Sequence, residues 1–159
     1  MTIPRVIQQQ VRERAGGLCE YCHLPDACTT LPFQIDHIIA EKHGGLTTLD
    51  NLAYCCLHCN AFKGPNIAGV SQATGDVVRL FHPRKDLWHE HFTWDGSRLL
   101  SSTAIGQVTI AVLAINAPYR LEVRQTLIAE GVFPPLCCSR GRTRCVGEVQ
   151  GMGRRDDDL

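Results

Sequence analysis

The sequence predicts an α+β fold, with a small cysteine-bearing core between an N-terminal helix and a C-terminal extension of strands and two helices. Three observations support this class. Two Cys-x-x-Cys pairs lie 33 residues apart and enclose a short β-rich run. Apolar residues recur at helical spacing near the start of the chain and again after position 103. Short runs typical of strands, separated by turn residues, lie between the second pair and the later helices.

The first element is predicted to be an amphipathic helix from about Pro4 to Ala15. Proline is tolerated in the first helical turn. Val6, Ile7 and Val11 fall at helical spacing among Gln, Arg and Glu residues. Gly16-Gly17 then provides a stop signal.

The middle of the chain is predicted to alternate between strands and a loop. The segment from Phe33 to Ile39 is β-rich, and Glu41 to Thr48 is a loop. The run from Leu49 to Cys55 leads into a short helix, Cys56 to Gly64, which Gly64-Pro65 ends. Asn60 is expected near the opening of this helix.

The second half is predicted to contain short strands followed by two helices. The strand-like runs are 77–81, 92–94 and 99–100, with a hairpin turn before the last of them. Thr103 is a candidate cap for a helix reaching about Ile115. Asn116-Ala117-Pro118 breaks this helix and begins another, which ends near Gly131.

These patterns divide the chain into three predicted parts. Residues 1–75 hold the cysteine core with the N-terminal helix, and residues 76–135 form the extension packed on it. Residues 136–159 lack periodicity and are expected to be disordered.

The charge balance excludes a protein that coats nucleic acid through a general positive field. Lys and Arg total 16 and so do Asp and Glu, so the formal net charge is zero. The longest apolar run, Val108 to Ile115, is too short to span a membrane. The N-terminus shows no apolar secretory segment, so a cytoplasmic location without membrane association is expected.

The cysteine spacing indicates a structural zinc site. Cys19 and Cys22 form one pair, and Cys56 and Cys59 form the other. Two such pairs complete a closed tetrahedral site, which is the usual pattern of structural zinc. Without an export signal, metal binding explains nine cysteines better than a disulfide framework does. Free core cysteines are the alternative, and other candidate ligands are Cys28, Cys55 and His58.

The residues between and beside the two pairs resemble a known family. The order is Cys-x-x-Cys, Asp-His-Ile, Gly-Gly, Asp-Asn-Leu, Cys-x-x-Cys-Asn and Lys-Gly, over Leu18 to Gly64. This order resembles the HNH endonucleases, which have a ββα-metal fold. The stretch from Phe81 to Pro135 also looks like the C-terminal part of small bacterial HNH proteins.

The resemblance implies roles for five residues. His37 would be the general base, since a neutral imidazole accepts a proton near pH 7. Asp36 and Asn60 would hold one catalytic Mg²⁺ or Mn²⁺ through oxygen atoms. The family often has His where this chain has Asn60, and an amide oxygen favours these harder ions. Asn51 would orient His37 or tie the loop to the strand. Lys63 would meet a substrate phosphate, with a solvated surface position as the alternative.

One feature of the motif sets a structural condition. Neighbouring residues of a strand point to opposite faces, and Asp36 directly precedes His37. For both side chains to act on one phosphate, the strand must twist or end at this point.

The function implied by the resemblance is metal-dependent hydrolysis of DNA, as a nick or a double-strand cut, with RNA as an alternative substrate. The neutral overall charge fits a nuclease that an activating or delivering partner brings to its substrate, and it equally fits a weak enzyme that acts without one. The sequence indicates no oligomeric state. The competing hypothesis is a catalytically idle zinc-stabilised module that binds nucleic acid or protein.

Overall fold

A computed structural model describes residues 2–135 of the chain. Its helices are α1 (Arg5–Ala15), α2 (Leu57–Lys63), α3 (Trp88–His91), α4 (Ala104–Val112) and α5 (Pro118–Ala129). Its strands are β1 (Gln34–His37), β2 (Leu52–Cys55), β3 (Ala68–Val70), β4 (Val77–Arg79), β5 (Thr93–Asp95) and β6 (Arg98–Leu100). The predicted α+β class is confirmed. The predicted disordered tail, 136–159, lies outside the described residues.

The centre of the fold is the unit β1-β2-α2. Strands β1 and β2 pair antiparallel, from Gln34 opposite Cys55 to His37 opposite Leu52. Helix α1 packs against β2, and helix α2 packs against β1. The unit therefore presents two strands and one helix in the order that the resemblance predicted.

Helix α1 forms because one of its faces is buried against the hairpin. Val11 is fully buried and forms an apolar cluster with Leu52 and Tyr54 of β2. The helix ends at Gly16, whose left-handed φ of 62° places its N–H against the carbonyl groups of the last turn. This is the stop that the Gly-Gly pair predicted.

The extension consists of two further hairpins and two helices. Strand β3 pairs with β4, and β5 pairs with β6, both antiparallel. Thr103 caps α4 by accepting a hydrogen bond from the Gly106 N–H, as predicted. Helix α4 ends at Val112, earlier than expected, and Ala114 has a φ of 47°. The sequence did not predict β3 or the single turn of α3.

One apolar core joins the cysteine-bearing unit to the extension. The cluster that contains the cysteines also contains Phe81, Leu99, Leu113 and Leu127. The predicted boundary at 75/76 falls within the turn between β3 and β4. The division into units 1–75 and 76–135 stays a prediction. Within residues 2–135, no helix has both the length and the apolar character that a membrane span requires.

Candidate active site and metal centre

Four cysteine sulfurs converge in the core between β2, α2 and the turn after α1. The Sγ atoms of Cys19, Cys22, Cys56 and Cys59 lie within 4.8 Å of one another. All four residues are at least 97% buried. A tetrahedral zinc site with Zn–S bonds of about 2.3 Å has sulfur–sulfur edges of about 3.8 Å. The Cys22–Cys56 separation is 3.8 Å, so the cluster fits a closed zinc site.

Each Cys-x-x-Cys pair forms the same local turn. The Cys22 N–H points at the Cys19 Sγ at 3.5 Å, and the Cys59 N–H points at the Cys56 Sγ at 3.4 Å. Cys56 is also the N-cap of α2. Backbone N–H donors stabilise negative charge on sulfur, which favours the thiolate form that binds a metal.

The other candidate ligands lie outside this cluster. Cys28 is half-buried, and burial raises the pKa of the Cys55 thiol, which keeps it protonated. The His58 Nε2 lies 2.9 Å from the Leu113 carbonyl oxygen and so links α2 to the extension. Among residues 2–135, only the two Cys-x-x-Cys pairs form a group of metal-ligating side chains of this kind.

Arg120 of α5 is a partner of the cluster that sequence reasoning missed. Its Nη2 donates to the Cys22 Sγ at 3.2 Å and lies 3.8 Å from the Cys56 Sγ. Hydrogen bonds from the other three thiols, that of Cys19 first, lower the pKa of Cys22 well below its ordinary value, and the Arg120 charge adds to this. No motif signals this residue, because 98 positions separate it from Cys22.

An open cleft lies at the end of β1 and brings together three of the predicted residues. Asp36, His37 and Asn60 all line it, and its volume is about 350 Å³. Strand β1 ends at His37, but the side chains of the two adjacent residues have different partners, Tyr21 and Lys63 for Asp36 and Thr47 for His37. Glu41 and Lys42 form part of the same rim.

His37 is half-buried and held by a hydroxyl group. Its Nε2 lies 2.9 Å from the Thr47 Oγ1, a contact that the sequence gave no reason to expect. In the tautomer in which Nε2 donates to Thr47, Nδ1 is the nitrogen that can accept a proton.

Asp36 points to the opposite side of β1, toward α2 and the cysteine turn. It is 6% exposed. One oxygen accepts a hydrogen bond from the Tyr21 hydroxyl at 2.9 Å and lies 3.0 Å from the Lys63 Nζ. Burial raises the pKa of Asp36, while Lys63 and Tyr21 oppose this shift. Tyr21 is a further site residue that sequence reasoning missed.

Lys63 does not occupy the surface position that was the alternative to phosphate contact. It is 1% exposed, and its Nζ contacts Asp36 and the His37 carbonyl oxygen at 3.1 Å. The solvated-surface interpretation is therefore wrong. The position faces inward because α2 packs its last turn against β1. Phosphate contact by Lys63 stays a prediction.

Asn60 lies in the middle of α2, directly after Cys59, and not at the opening of the helix. Its side-chain N–H₂ donates to the side-chain oxygen of Gln34 at the start of β1. This contact uses the donor end of the amide, which leaves the Asn60 oxygen free to bind a metal.

Asn51 ties the loop to the strand through its amide. Its Oδ1 accepts from the Ile39 N–H, and its Nδ2 donates to the carbonyl oxygens of Ile39 and Leu46, each at 2.9 Å. Gly45 packs so closely that a Cβ there would lie 1.7 Å from the Ile39 oxygen. Of the two predicted roles, the structure shows the loop contact and no hydrogen bond to the His37 ring.

Comparison with known proteins agrees with this arrangement. The family model described as HNH endonuclease matches residues 19–65, which include the four clustered cysteines and the cleft residues. Residues 19–65 form an HNH domain. No curated protein and no solved structure matches the chain. The HNH domain indicates a nuclease in general terms, with nucleic acid as its substrate.

Proposed function

We propose that the HNH domain is a metal-dependent endonuclease that hydrolyses phosphodiester bonds in DNA. The observation that carries the proposal is the common cleft of Asp36, His37 and Asn60, next to the four-cysteine cluster. A binding module would need the cysteines for its fold but would have no use for these three side chains. RNA is the alternative substrate of the same chemistry.

His37 is the general base in this proposal. Its Nδ1 takes a proton from the attacking water, while Thr47 holds the opposite ring nitrogen. A positioned base of this kind accelerates proton transfer by about 10²- to 10⁴-fold. The expected products carry a 5′-phosphate and a 3′-hydroxyl.

Asp36 and Asn60 would hold the catalytic Mg²⁺ or Mn²⁺. A carboxylate oxygen and an amide oxygen are the donors that these hard ions prefer. When bound, the ion would supply stabilisation of the charge on the phosphate and the leaving 3′ oxygen. Tyr21 and Lys63 fix the orientation of the Asp36 carboxylate. Asn51 holds the loop beside the cleft, and is a positioning residue.

The four-cysteine cluster is proposed to hold zinc for structure alone. Four thiolates complete a tetrahedral coordination, so a closed site leaves no position for water or substrate. The cluster instead fixes the first turn of α2, from which Asn60 reaches the cleft.

The neutral net charge limits the affinity with which the proposed enzyme binds DNA. Affinity for DNA arises largely from phosphate contacts with Lys and Arg, and it falls as salt rises. With equal numbers of acidic and basic residues, tight general binding is not expected. We therefore include a delivering or activating partner in the proposal.

The test is cleavage of supercoiled plasmid at low salt with Mg²⁺ or Mn²⁺. Wild type, His37→Ala and a control, His43→Ala, are compared, each with its zinc content and melting temperature measured. His43 is exposed and lies outside the cleft. Metal-dependent nicking by wild type and His43→Ala, with a loss of about 100-fold or more in His37→Ala, is the expected result. Equal nicking by all three proteins would remove His37 from the mechanism.

One observation favours the second candidate, a catalytically idle zinc module. The Lys63 ammonium already neutralises Asp36, which is the charge that a metal would otherwise balance. On this hypothesis wild type nicks no plasmid with either ion, yet it still binds nucleic acid or protein with zinc in place. Metal-dependent nicking would exclude it.

A further inference from the structure

A second groove lies on the opposite side of β1 from α2. Helix α1 and the two strands of the hairpin enclose a volume of about 590 Å³. Gln8 and Gln9 line it from α1, and Phe33 and Tyr54 line it from the hairpin. None of these residues has a role in the zinc cluster or in the proposed catalysis.

The chemistry of the groove matches a nucleobase. The Gln8 Nε2 donates to the Ile3 carbonyl oxygen at 2.7 Å, and the Gln9 Nε2 donates to Glu13 at 2.7 Å. Both amide oxygens remain as acceptors for an amino group. Phe33 and Tyr54 lie with their ring centres 5.1 Å apart. Aromatic rings beside amide groups are the usual means of stacking and reading an unpaired base.

The charges around the groove also fit a nucleic-acid strand. Its only charged lining residue within the described chain is Arg12, whose side chain is 63% exposed. Asp26 pairs with Arg12 at 3.0 Å but does not line the groove. The same Asp26 carboxylate also accepts a hydrogen bond from the Tyr54 hydroxyl at 2.9 Å, so it fixes two side chains of the groove.

The groove adjoins the proposed catalytic cleft along β1. Ile35 lines both spaces. Gln34 lines the groove, and its side chain accepts the hydrogen bond from Asn60 of the cleft. A strand with a phosphate in the cleft would pass beside the groove.

We propose that this groove, formed by α1 and the β1-β2 hairpin, is a subsite for one nucleobase flanking the bond that is cut. The inference rests on the proposed nuclease function and adds to it a determinant of sequence preference. The base packs on Phe33 and offers an exocyclic amino group to Gln8 and Gln9. Cytosine, adenine and guanine carry such a group, and thymine and uracil do not.

The first test measures binding without cleavage. Fluorescently labelled single-stranded DNA and RNA oligonucleotides are titrated with His37→Ala protein, without added magnesium, and binding is followed by anisotropy. In this background Gln8→Ala/Gln9→Ala is compared with Gln10→Ala, which alters an exposed residue of α1 outside the groove. We expect Kd to rise about fivefold or more for the double variant only, and only with strands rich in cytosine, adenine or guanine, not with thymine-rich or uracil-rich strands.

The second test locates the base directly. An oligonucleotide carrying 5-iodocytosine is irradiated with the same protein, and the crosslinked peptide is identified by mass spectrometry. The expected attachment is at Phe33 or Tyr54. DNA and RNA should behave alike, because the groove contacts the base and not the sugar.

The outcomes separate this inference from the nuclease proposal. Equal affinities of the double variant and Gln10→Ala, crosslinks outside α1 and the hairpin, or no binding of either oligonucleotide would overturn the subsite, even if wild type nicks plasmid. A Gln8/Gln9-dependent affinity in a wild-type protein that nicks nothing would support a base-binding groove and count against catalysis alone.

Discussion

The HNH domain contains two sites of opposite character within one short segment. The cysteine cluster is buried, is made of sulfur and is closed on every side. The cleft is open and offers oxygen and nitrogen atoms. Helix α2 serves both, since Cys59 belongs to the cluster and the next residue, Asn60, lines the cleft.

The contrast between the buried cluster and the open cleft suggests that the cluster contributes to folding stability, whereas the cleft residues contribute to the reaction. A closed set of four thiolates can contribute to folding but cannot admit a substrate. An open cleft can admit a phosphate, but it contributes less to the core. Substitutions in the cluster should therefore remove the fold, and those that line the cleft should remove activity while the fold remains.

The largest effect is expected from Cys19→Ser. Structural zinc sites contribute on the order of 10 kcal/mol to folding, and loss of one thiolate forfeits a large share of this. Zinc content should fall and the domain should lose its cooperative thermal unfolding, measured by elemental analysis and circular dichroism. Cys28→Ser, outside the cluster, is the control and should retain zinc. A zinc-loaded Cys19→Ser protein that melts as wild type does would contradict the four-cysteine assignment.

Lys63→Met tests whether the buried ion pair of Asp36, a residue that lines the cleft, has a structural role. Removing one partner of a buried ion pair costs about 3–5 kcal/mol. The loss should lie near the lower value, because burial already raises the pKa of Asp36 and the carboxyl can take up a proton. Urea denaturation with zinc present measures the free energy of unfolding.

The matched control for that variant is Lys42→Met, an exposed lysine on the rim of the cleft that Asp36 lines. It should unfold as wild type does. If the two variants are equally stable, the pair of Lys63 and Asp36 contributes nothing to the fold, and the separation between the two sites is complete.

The smallest effect is expected at an ion pair outside both sites. Arg79 and Asp86 lie 2.6 Å apart, and the hydrogen bond from Arg79 lowers the pKa of Asp86 to about 2. Because Arg79 is half-exposed, Asp86→Asn should cost only about 1 kcal/mol at pH 7. A carboxyl with a lowered pKa stabilises the fold above its ordinary pKa of 3.8, and this is lost as pH falls toward 2.

Chemical denaturation from pH 2 to 7 measures this dependence. The difference between wild type and Asp86→Asn should shrink steadily below pH 4. Asp76→Asn, at an exposed position in the turn before β4, should show no difference at any pH. If the difference in unfolding free energy between wild type and Asp86→Asn stays constant from pH 2 to 7, the ion pair with Arg79 does not cause the stability difference.

The sequence predicted the elements whose signals are local. The apolar spacing and Gly-Gly stop located α1, and Thr103 located the start of α4. Strand β3 was missed because Ala68, Gly69 and Val70 carry no alternating pattern. They become a strand only through pairing with β4 and packing against α4.

The site was predictable only in part for a similar reason. The motif placed Asp36, His37 and Asn60 in one cleft because their order follows a family pattern. It did not show that Lys63 is buried, since lysine is usually exposed and its partner lies 27 positions away. Tyr21 and Thr47 were missed because their roles depend on distances that only the folded chain sets.

The contact between α5 and the cysteine sulfurs would make the affinity of the cluster for zinc depend on the packing of the C-terminal extension as well. Arg120 of α5 contacts Cys22, 98 positions earlier, and Cys56, and His58 contacts the backbone of the segment before α5. Any equilibrium in which α5 leaves the core is thus thermodynamically linked to release of the ion. By reciprocity, a ligand that draws α5 away would weaken zinc binding at the cluster by the same factor by which zinc would oppose that ligand.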